Sequence, residues 1–207
     1  NDDDNATNSG AVYVYDANNL SAQPTKLTAF DGAEGDYFGV SVSATNDKII
    51  VGANADGDKG AYSGSVYVYD ANDLSAQPTK LTAFDGAEFD QFGRTVAANA
   101  DKIIVAVEYD DDNGISSGSV YVYDANDLSA QPTKLTAFDA AADDAFGSSV
   151  AATDDKIVVG ARNNDDKGRD SGSVYVYDAN DLSATPTKLT AFDGDVTDYF
   201  GYSVAVG

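Results

Sequence analysis

Residues 66–70 read Val-Tyr-Val-Tyr-Asp, and this segment occurs four times at a constant spacing of 54 residues. A second segment, Lys-Leu-Thr-Ala-Phe-Asp, begins at Lys80 and recurs with the same period. A fixed period of this length is typical of a tandem array of small structural units. We therefore treat residues 1–207 as a single tandem-repeat region. The positions that mark the four copies are Val12, Val66, Val120 and Val174.

Each copy offers four candidate β-strands, which we call A, B, C and D. In sequence order they are Phe38 to Ser43, Lys48 to Gly52, Ser65 to Tyr69 and Thr79 to Phe84. All four are short, rich in Val, Ile, Tyr, Thr and Phe, and bounded by Gly, Asn, Asp or Pro. No segment has helical periodicity. The sequence predicts an all-β fold.

Strand C alternates Val and Tyr, so it has no polar face before its terminal Asp70. A strand that is apolar on both sides needs cover on both sides, which sheets packed face to face supply. Four antiparallel strands in about 40–50 residues are also the size of one propeller blade. The prediction is a β-propeller of four-stranded antiparallel blades, with a β-solenoid as the alternative fold.

The four repeats are not complete. Asn1 aligns with Ala55 and Gly207 with Thr45, so the nine positions equivalent to 46–54 are absent once. Those positions contain all of strand B. We expect one repeat to lack strand B, which leaves an unpaired strand edge. Either the native polypeptide carries more repeats, or the segment is missing from the sequence as read, or a neighbouring subunit supplies the strand.

Several motifs together resemble one family. Phe38-Gly39, then Val51-Gly52-Ala53, then Gly-Ser-Val-Tyr-Val-Tyr from Gly64 is similar to the FG-GAP repeat. The loop from Asp110 to Gly114 and the Lys-Leu-Thr-Ala-Phe-Asp segment most resemble its bacterial secreted members. The resemblance covers essentially the whole chain. It implies blades like those of the propeller head of integrin α subunits, and a secreted or cell-surface location.

The composition excludes several classes of function. The net charge of −23 repels phosphate backbones and anionic lipids, so we expect neither nucleic-acid binding nor membrane insertion. The chain has no His and no Cys, which excludes a Ser-His-Asp triad, a Cys-His pair and a His-ligated zinc site. A pair of carboxylates is the remaining route to acid–base catalysis, but no copy departs from the repeat pattern with such a pair. We therefore expect no enzyme.

Strand order predicts where the acidic residues lie. With antiparallel strands, the B-to-C and D-to-A loops leave the sheets on the same side. Those loops hold 24 of the 35 acidic residues, twelve in each set. Such a concentration of carboxylates is unfavourable unless solvent, salt or cations compensate it.

The B-to-C loops suggest what the compensating cation is. Each has two oxygen-bearing side chains two positions apart, and a glycine follows in three of the four copies. This pattern lets a tight loop surround a hard cation, so we predict Ca²⁺ there. The integrin calcium loop lies between strands A and B, where this chain has only a short turn, so its ligands are not carried over. The alternative interpretation is a set of solvated turns. The predicted ligands are Asp2, Asp4, Asp56, Asp58, Asp110, Asp112, Asn164 and Asp166.

Two further aspartates recur in every D-to-A loop. We expect both to cap the sharp crossover by accepting hydrogen bonds from free backbone N–H groups. The two sets are Asp31, Asp85, Asp139 and Asp193, and Asp36, Asp90, Asp144 and Asp198.

These observations favour a non-enzymatic extracellular module that binds or assembles. We expect its partner to be a protein or glycan on a cell surface or matrix, or copies of itself. Subunits joined head to tail would form an open, filament-like assembly. The alternative function is a surface adhesin or lectin with an integrin-like propeller head.

Overall fold

The computed structural model describes residues 6–207, which contain fourteen β-strands and no helix. The all-β prediction is confirmed. The strands are short because Gly, Pro and Asp punctuate the β-branched and aromatic runs. They are β1 Val12–Val14, β2 Thr25–Leu27, β3 Ser41–Ala44, β4 Lys48–Ala53, β5 Ser65–Asp70, β6 Thr79–Leu81, β7 Thr95–Ala98, β8 Lys102–Val107, β9 Ser119–Asp124, β10 Thr133–Leu135, β11 Phe146–Ala152, β12 Lys156–Ala161, β13 Ser173–Asp178 and β14 Thr187–Leu189.

The strands form four antiparallel sheets along the chain. Sheet I contains β1 and β2, sheet II contains β3 to β6, sheet III contains β7 to β10, and sheet IV contains β11 to β14. Within sheets II to IV, the spatial order equals the sequence order, so each is a meander in the order A, B, C, D. The predicted four-stranded antiparallel sheets are therefore confirmed in three copies. In the described part of sheet I, only the C and D strands are present.

Strand D is shorter than predicted. Thr79–Leu81 pairs with β5, but the backbone leaves the sheet at Thr82. The Thr82 carbonyl instead accepts a hydrogen bond from the Tyr123 hydroxyl of the next sheet, at 3.3 Å. The chain therefore turns toward sheet III three residues earlier than the apolar run through Phe84 indicates.

The hydrophobic core lies between consecutive sheets. Ile50 and Val66 of sheet II are fully buried in one cluster with Val105 and Tyr121 of sheet III. Equivalent clusters lie between sheets I and II and between sheets III and IV. Tyr67 is also fully buried, against sheet I. Strand C is thus covered on both faces, as its Val-Tyr alternation predicts.

The Phe-Gly pair stands at the start of each of sheets II to IV, before the first strand in sheets II and III and within it in sheet IV. Phe92 is fully buried against the tyrosines of sheet III, and Gly93 follows with a left-handed φ of +85°. A side chain is disfavoured at that φ, so glycine is required. Glycine is also needed opposite, because a Cβ at Gly52 would lie 2.0 Å from the Gly93 carbonyl oxygen. The pair therefore sets how closely successive sheets approach.

The described residues contain no closed sheet. Residues 203–206 align with β3 but belong to no strand, and among the described residues β1 pairs only with β2. A groove of about 580 Å³ next to β1 is lined by Gly10, Ala11 and Tyr13. In sheets II to IV the equivalent edge of strand C is filled by strand B.

Candidate functional site

Two kinds of loop lie side by side at one edge of the sheets. We call residues 54–64, 108–118 and 162–172, between strands B and C, the acidic loops. We call the connections between one sheet and the next the crossover loops. In sheet II the amides of Phe89 and Gln91 donate to the carbonyls of Ala61 and Tyr62, at 2.9 and 3.0 Å. The same backbone pairing recurs in every repeat. The two acid-rich loop sets therefore share one surface, as strand order predicts.

In each acidic loop, the first of the two predicted calcium ligands accepts the hydrogen bonds that hold the loop in shape. Asp56 is buried, and one of its oxygens accepts hydrogen bonds from the Asp58 amide at 3.1 Å and the Ser65 hydroxyl at 3.0 Å. An aspartate that bonds the amide two residues on stabilises a tight turn. Asn164 holds its loop in the same way, and Asp110 accepts the equivalent two bonds with one on each of its oxygens.

A lysine ammonium lies at the centre of each carboxylate cluster. Lys80 Nζ is 2.8 Å from Asp31, 2.9 Å from Asp56 and 2.7 Å from Asp58. We call this arrangement a lysine clasp, because Asp31 belongs to the crossover loop from the preceding sheet. Two further clasps among residues 6–207 join Lys134 to Asp85, Asp110 and Asp112, and Lys188 to Asp139, Asn164 and Asp166.

The clasp brings most of the predicted calcium ligands together. Asp56 and Asp58 share one clasp, and the pairs that follow in sequence share the other two. Asp2 and Asp4 lie outside the described residues. The lysine was not predicted, although Lys-Leu-Thr-Ala-Phe-Asp recurs in each copy. The overlooked signal is the register of strands C and D, which places Lys80 opposite Tyr67 and therefore beside the acids.

A buried tyrosine completes each clasp. The Tyr67 hydroxyl donates to Asp31 at 2.7 Å and also contacts Asp56 at 3.1 Å. Lys80 Nζ lies 5.3 Å from the centre of the Tyr67 ring, which adds a cation–π contact. Tyr121 donates a short hydrogen bond to Asp85, and Tyr175 donates to Asp139 at 2.7 Å. The clasp therefore spans two sheets with charged and neutral donors.

Within the clasp, the lysine, the tyrosine and the crossover aspartate shift one another's pKa values. Burial by itself would raise the pKa of Asp31, but hydrogen bonds from Lys80 and Tyr67 outweigh it and lower the pKa below its ordinary value. Burial would lower the pKa of Lys80, yet its three carboxylate partners raise it above the ordinary range. Burial and the neighbouring carboxylates also raise the pKa of Tyr67. These shifts hold Asp31 and Lys80 charged and the Tyr67 hydroxyl protonated near neutral pH, so none of these three groups is suited to proton transfer there.

The clasp also bears on metal binding. Carboxylate oxygens of Asp31, Asp56 and Asp58 lie within 4.8 Å of one another, and such hard oxygen donors suit Ca²⁺. The lysine ammonium already bonds the same three groups. A calcium ion would have to replace that ammonium, and calcium binding at these loops stays a prediction.

The capping prediction holds for one set of crossover aspartates. Asp90 is buried and accepts a hydrogen bond from the Ala87 amide at 2.7 Å. Asp36, Asp144 and Asp198 make the equivalent bond. Burial raises the pKa of Asp90 to about 6, against the single amide bond, which lowers it. In the other set, the main partners of Asp31, Asp85 and Asp139 are instead the tyrosine and lysine of the next sheet. For Asp193 the capping role stays a prediction.

The paired loops hold three left-handed positions in each repeat. Tyr62, Phe89 and Gln91 have φ values of 56°, 71° and 58°, where residues other than glycine are uncommon. Their side chains are exposed or half-buried, and the rings of Tyr62 and Phe89 stack at 5.9 Å. We call these twelve positions the variable face; eleven of them are exposed or half-buried, and Ala145 is buried. They are Asn8, Tyr62, Ser116 and Asp170; Gly35, Phe89, Asp143 and Thr197; and Tyr37, Gln91, Ala145 and Tyr199.

Identity varies at these positions although the backbone does not. The first column holds Asn, Tyr, Ser and Asp, and the second holds Gly, Phe, Asp and Thr. Strand C, by contrast, is Val-Tyr-Val-Tyr-Asp in all four copies. A strained backbone that every copy retains, with side chains that differ, provides distinct surface chemistry on a constant scaffold.

One buried acid departs from the repeat. Glu108 is buried and contacts Arg94 Nε at 2.8 Å and Arg162 Nη2 at 2.5 Å. The equivalent residues are Asn54 in the preceding copy and Arg162 itself in the following one. Two guanidinium groups neutralise Glu108, so it forms an ion pair between sheets III and IV rather than a free general base.

Comparison with known proteins identifies a family. A model described as the FG-GAP repeat matches residues 22–69, 76–123 and 130–177. Each matched stretch begins just before strand D of one sheet and ends with strand C of the next, so it includes a crossover loop. No curated protein matches the chain. Among solved structures, the chain is similar to the computationally designed Ika4 protein, with 16% identity, a TM-score of 0.46, and coverage of 79% of this chain and 76% of that chain.

Proposed function

The chain belongs to the FG-GAP repeat family, and we propose that it is a non-enzymatic, extracellular binding and structural module. The repeats of this family are extracellular-type binding or structural units. Within residues 6–207 there is no helix that could span a membrane. The net charge of −23 makes nucleic acid a poor partner and suits a protein that works in salty surroundings.

We propose that the sheets are arranged radially, as blades of a β-propeller. Hydrogen bonds between first strands support this. Ser41 Oγ donates to the Gly93 carbonyl at 2.7 Å, and Asn99 Nδ2 donates to the Thr153 carbonyl at 2.6 Å. The first strands of consecutive sheets therefore lie against one another, as strands around a central axis do.

The observation that carries the binding proposal is the variable face. Exposed aromatic rings at Tyr37, Tyr62, Phe89 and Tyr199 stand on a backbone whose conformation is the same in every copy. Tyrosine and other aromatic side chains provide large, rigid contact area at low entropic cost. Exposed apolar groups rimmed by polar residues are typical of interaction sites. The proposed partner is a protein or glycan of a cell surface or matrix.

A pair of variants tests the binding face. The double substitution Tyr62→Ala with Phe89→Ala removes the stacked rings and should abolish binding to cells or to a glycan array. Leu20→Ala is the matched control, because Leu20 is exposed in a loop between strands C and D, which leaves its sheet on the opposite side. Equal binding by both variants and the parent chain would exclude the variable face.

We propose Ca²⁺ as a ligand of the clasps that competes with lysine. Three carboxylates supply the oxygen atoms, and the Lys80 side chain is long enough to move away from them. Because the ammonium already neutralises the cluster, we expect calcium to bind the parent chain weakly. Stability that depends on calcium should appear when the lysine is removed.

An adhesin or lectin is the second candidate function. The groove of about 580 Å³ beside β1 is lined by two tyrosine rings, Tyr13 and Tyr37, and by the amide side chain of Asn54. Aromatic faces and amides are groups that bind sugars by stacking and hydrogen bonding. A glycan-array signal that Tyr37→Ala removes, while Tyr62→Ala with Phe89→Ala leaves it unchanged, would favour this function over recognition at the stacked rings.

A further inference from the structure

One loop between strands C and D differs from its repeats by a single side-chain group. Residues 15–24 connect β1 to β2 and contain Asn19-Leu20-Ser21, whereas the equivalent tripeptide in the other three copies is Asp-Leu-Ser. Asparagine, then any residue except proline, then Ser or Thr is the acceptor pattern for N-linked oligosaccharides. The chain has one other such pattern, Asn5-Ala6-Thr7, and Asn5 lies outside the described residues. The loop of the first copy therefore offers a modification site that the other C-to-D loops lack.

The side-chain oxygen at this position has the same structural role in all four copies. Ser21 Oγ donates a hydrogen bond to Asn19 Oδ1 at 2.7 Å. Ser75 Oγ donates to Asp73 Oδ1 at 2.6 Å, and the last two copies make the equivalent bond. The backbone amide and carbonyl of Asn19 close two turns with hydrogen bonds of 3.0 Å, and these bonds also recur in every copy. The turn thus needs an oxygen at this position, and either Asn or Asp supplies it.

The side-chain nitrogen of Asn19, by contrast, has no structural role. Across residues 6–207, Asn19 Nδ2 donates no hydrogen bond. Asn19 and Ser21 are exposed. Their equivalents Asp73 and Ser75 are exposed as well, although sheet II is packed between sheets I and III. The exposure is therefore a property of the loop and does not depend on which repeat carries it.

We propose that Asn19 is an N-glycosylation site, in a loop conformation that presents an asparagine at this position for modification. This inference rests on the proposed extracellular role, because the acceptor pattern is used in surface loops of secreted proteins. In the reaction, Asn19 Nδ2 attacks C1 of a sugar that is activated as a diphosphate ester. The N–C1 bond forms and the C1–O bond breaks. The nitrogen loses one proton to the transferase, and the diphosphate leaves with the electron pair of the C1–O bond.

The oligosaccharide would lie on the side of the sheets away from the variable face. Strands C and D are antiparallel neighbours, so the loop between them leaves its sheet on the side opposite to the acidic loops. A bulky, hydrated group there increases solubility and shields the exposed Leu20. It leaves Tyr62 and Phe89 uncovered, so modification and partner recognition use separate surfaces.

Secretion of the chain from cultured animal cells, behind a cleavable signal peptide, is the test. The secreted parent chain should carry an oligosaccharide at Asn19, seen as a gel shift that peptide-N-glycosidase removes. This glycosidase converts the linked asparagine to aspartate, so mass spectrometry of the peptides locates the site. Asn19→Asp is the matched loss variant, since the other copies have Asp there, and it should lose this oligosaccharide. Thr7→Ala removes the other acceptor pattern and should retain it.

A gain of modification tests the loop conformation. Asp73→Asn creates the same tripeptide in the second copy and should add one further oligosaccharide. Asp70→Asn is its control, because it makes the same change of charge at the start of the same loop without creating the acceptor pattern. It should add none.

Two outcomes would overturn the proposal. One is a secreted parent chain whose Asn19 is unmodified, and the other is Asp73→Asn without a further oligosaccharide. If the cells secrete no chain, the purified folded chain is incubated with a soluble asparagine glucosyltransferase and UDP-glucose. One hexose on Asn19 would then support the site, and an unmodified Asn19 would overturn it.

Failure of this proposal is separable from failure of the proposed binding function. Asn19→Asp, which lacks the oligosaccharide, should bind cells as well as the parent chain does. An unmodified parent chain that still binds through the variable face would overturn glycosylation and leave the binding role intact. A chain that is modified at Asn19 but binds no partner would do the reverse.

Discussion

Replacing the central lysine of one clasp tests how consecutive sheets are held together. We choose Lys134→Met, since methionine retains an apolar stem of similar length and removes the ammonium. Lys134 contacts Asp85, Asp110 and Asp112 at 2.9, 2.7 and 2.6 Å. The side chains of Lys134 and Asp110 are largely buried, so the substitution leaves three carboxylates around a buried space.

The expected cost follows from which carboxylates solvent can reach. Removing one partner of a buried ion pair costs about 3–5 kcal/mol. Asp112 is more than half exposed and Asp110 still accepts bonds from the Ser119 hydroxyl and the Asp112 amide, so solvent and these bonds offset part of the loss. We expect a decrease of about 3 kcal/mol in the free energy of unfolding at pH 7. For a chain of this size that corresponds to about 6–12 °C in melting temperature.

Thermal unfolding followed by circular dichroism is the assay, with and without 5 mM CaCl₂ after treatment with EDTA. Calcium should raise the melting temperature of Lys134→Met by several degrees and that of the parent chain much less. Lys59→Met is the control, because Lys59 is an exposed lysine of an acidic loop and its loss makes the same change in net charge. A melting temperature for Lys134→Met within 2 °C of the control would refute the clasp. A calcium shift as large in the parent chain would refute the competition between calcium and lysine.

Three other substitutions test single features. Burial raises the pKa of Asp90 in the folded chain from 3.8 to about 6. Below about pH 4 the carboxyl is neutral and its burial costs little, whereas its ionisation lowers the free energy of unfolding as the pH rises through 6. Asp90→Asn should therefore raise stability at pH 8 by up to about 2 kcal/mol and leave it unchanged at pH 4, measured by urea unfolding at both values; a larger gain at pH 4 would contradict this. Tyr121→Phe removes the hydroxyl that bonds Asp85 and should cost about 1–2 kcal/mol in the same assay, whereas Tyr109→Phe should cost almost nothing. Gly64→Ala would place a Cβ 2.2 Å from the Phe92 carbonyl oxygen at a φ of +84°, so we expect loss of cooperative unfolding; an ordinary melting curve would show that the crossover loop can move.

The sequence predicted the architecture wherever the pattern within a single strand was sufficient. The Val-Tyr alternation of residues 66–69 requires cover on both faces, and Tyr67 is indeed buried between sheets. The Asp-x-Asp spacing of the acidic loops also identified groups that converge. Local patterns of this kind depend only on the period of a strand or turn, which the sequence displays directly.

The features that the sequence did not predict depend on contacts between strands and between sheets. Lys80 reaches Asp31 and Asp56 only because the register of β5 and β6 places it opposite Tyr67. The left-handed backbone at Phe89 arises from pairing with the neighbouring loop, and nothing in an aromatic residue indicates it. Strand D ends early, where the Thr82 carbonyl accepts a hydrogen bond from the hydroxyl of Tyr123 in the next sheet. Each of these is a property of two segments, so one segment alone does not reveal it.

The sharing of every clasp between two sheets has a mechanical consequence. Each junction joins only neighbours, so resistance to stretching is distributed along the chain as a series of similar bonds. A molecule pulled from both ends should yield one junction at a time rather than all at once. Each event would release a repeat of 54 residues, or about 180 Å of extended chain, and the regular spacing of the force peaks would report the repeat length directly.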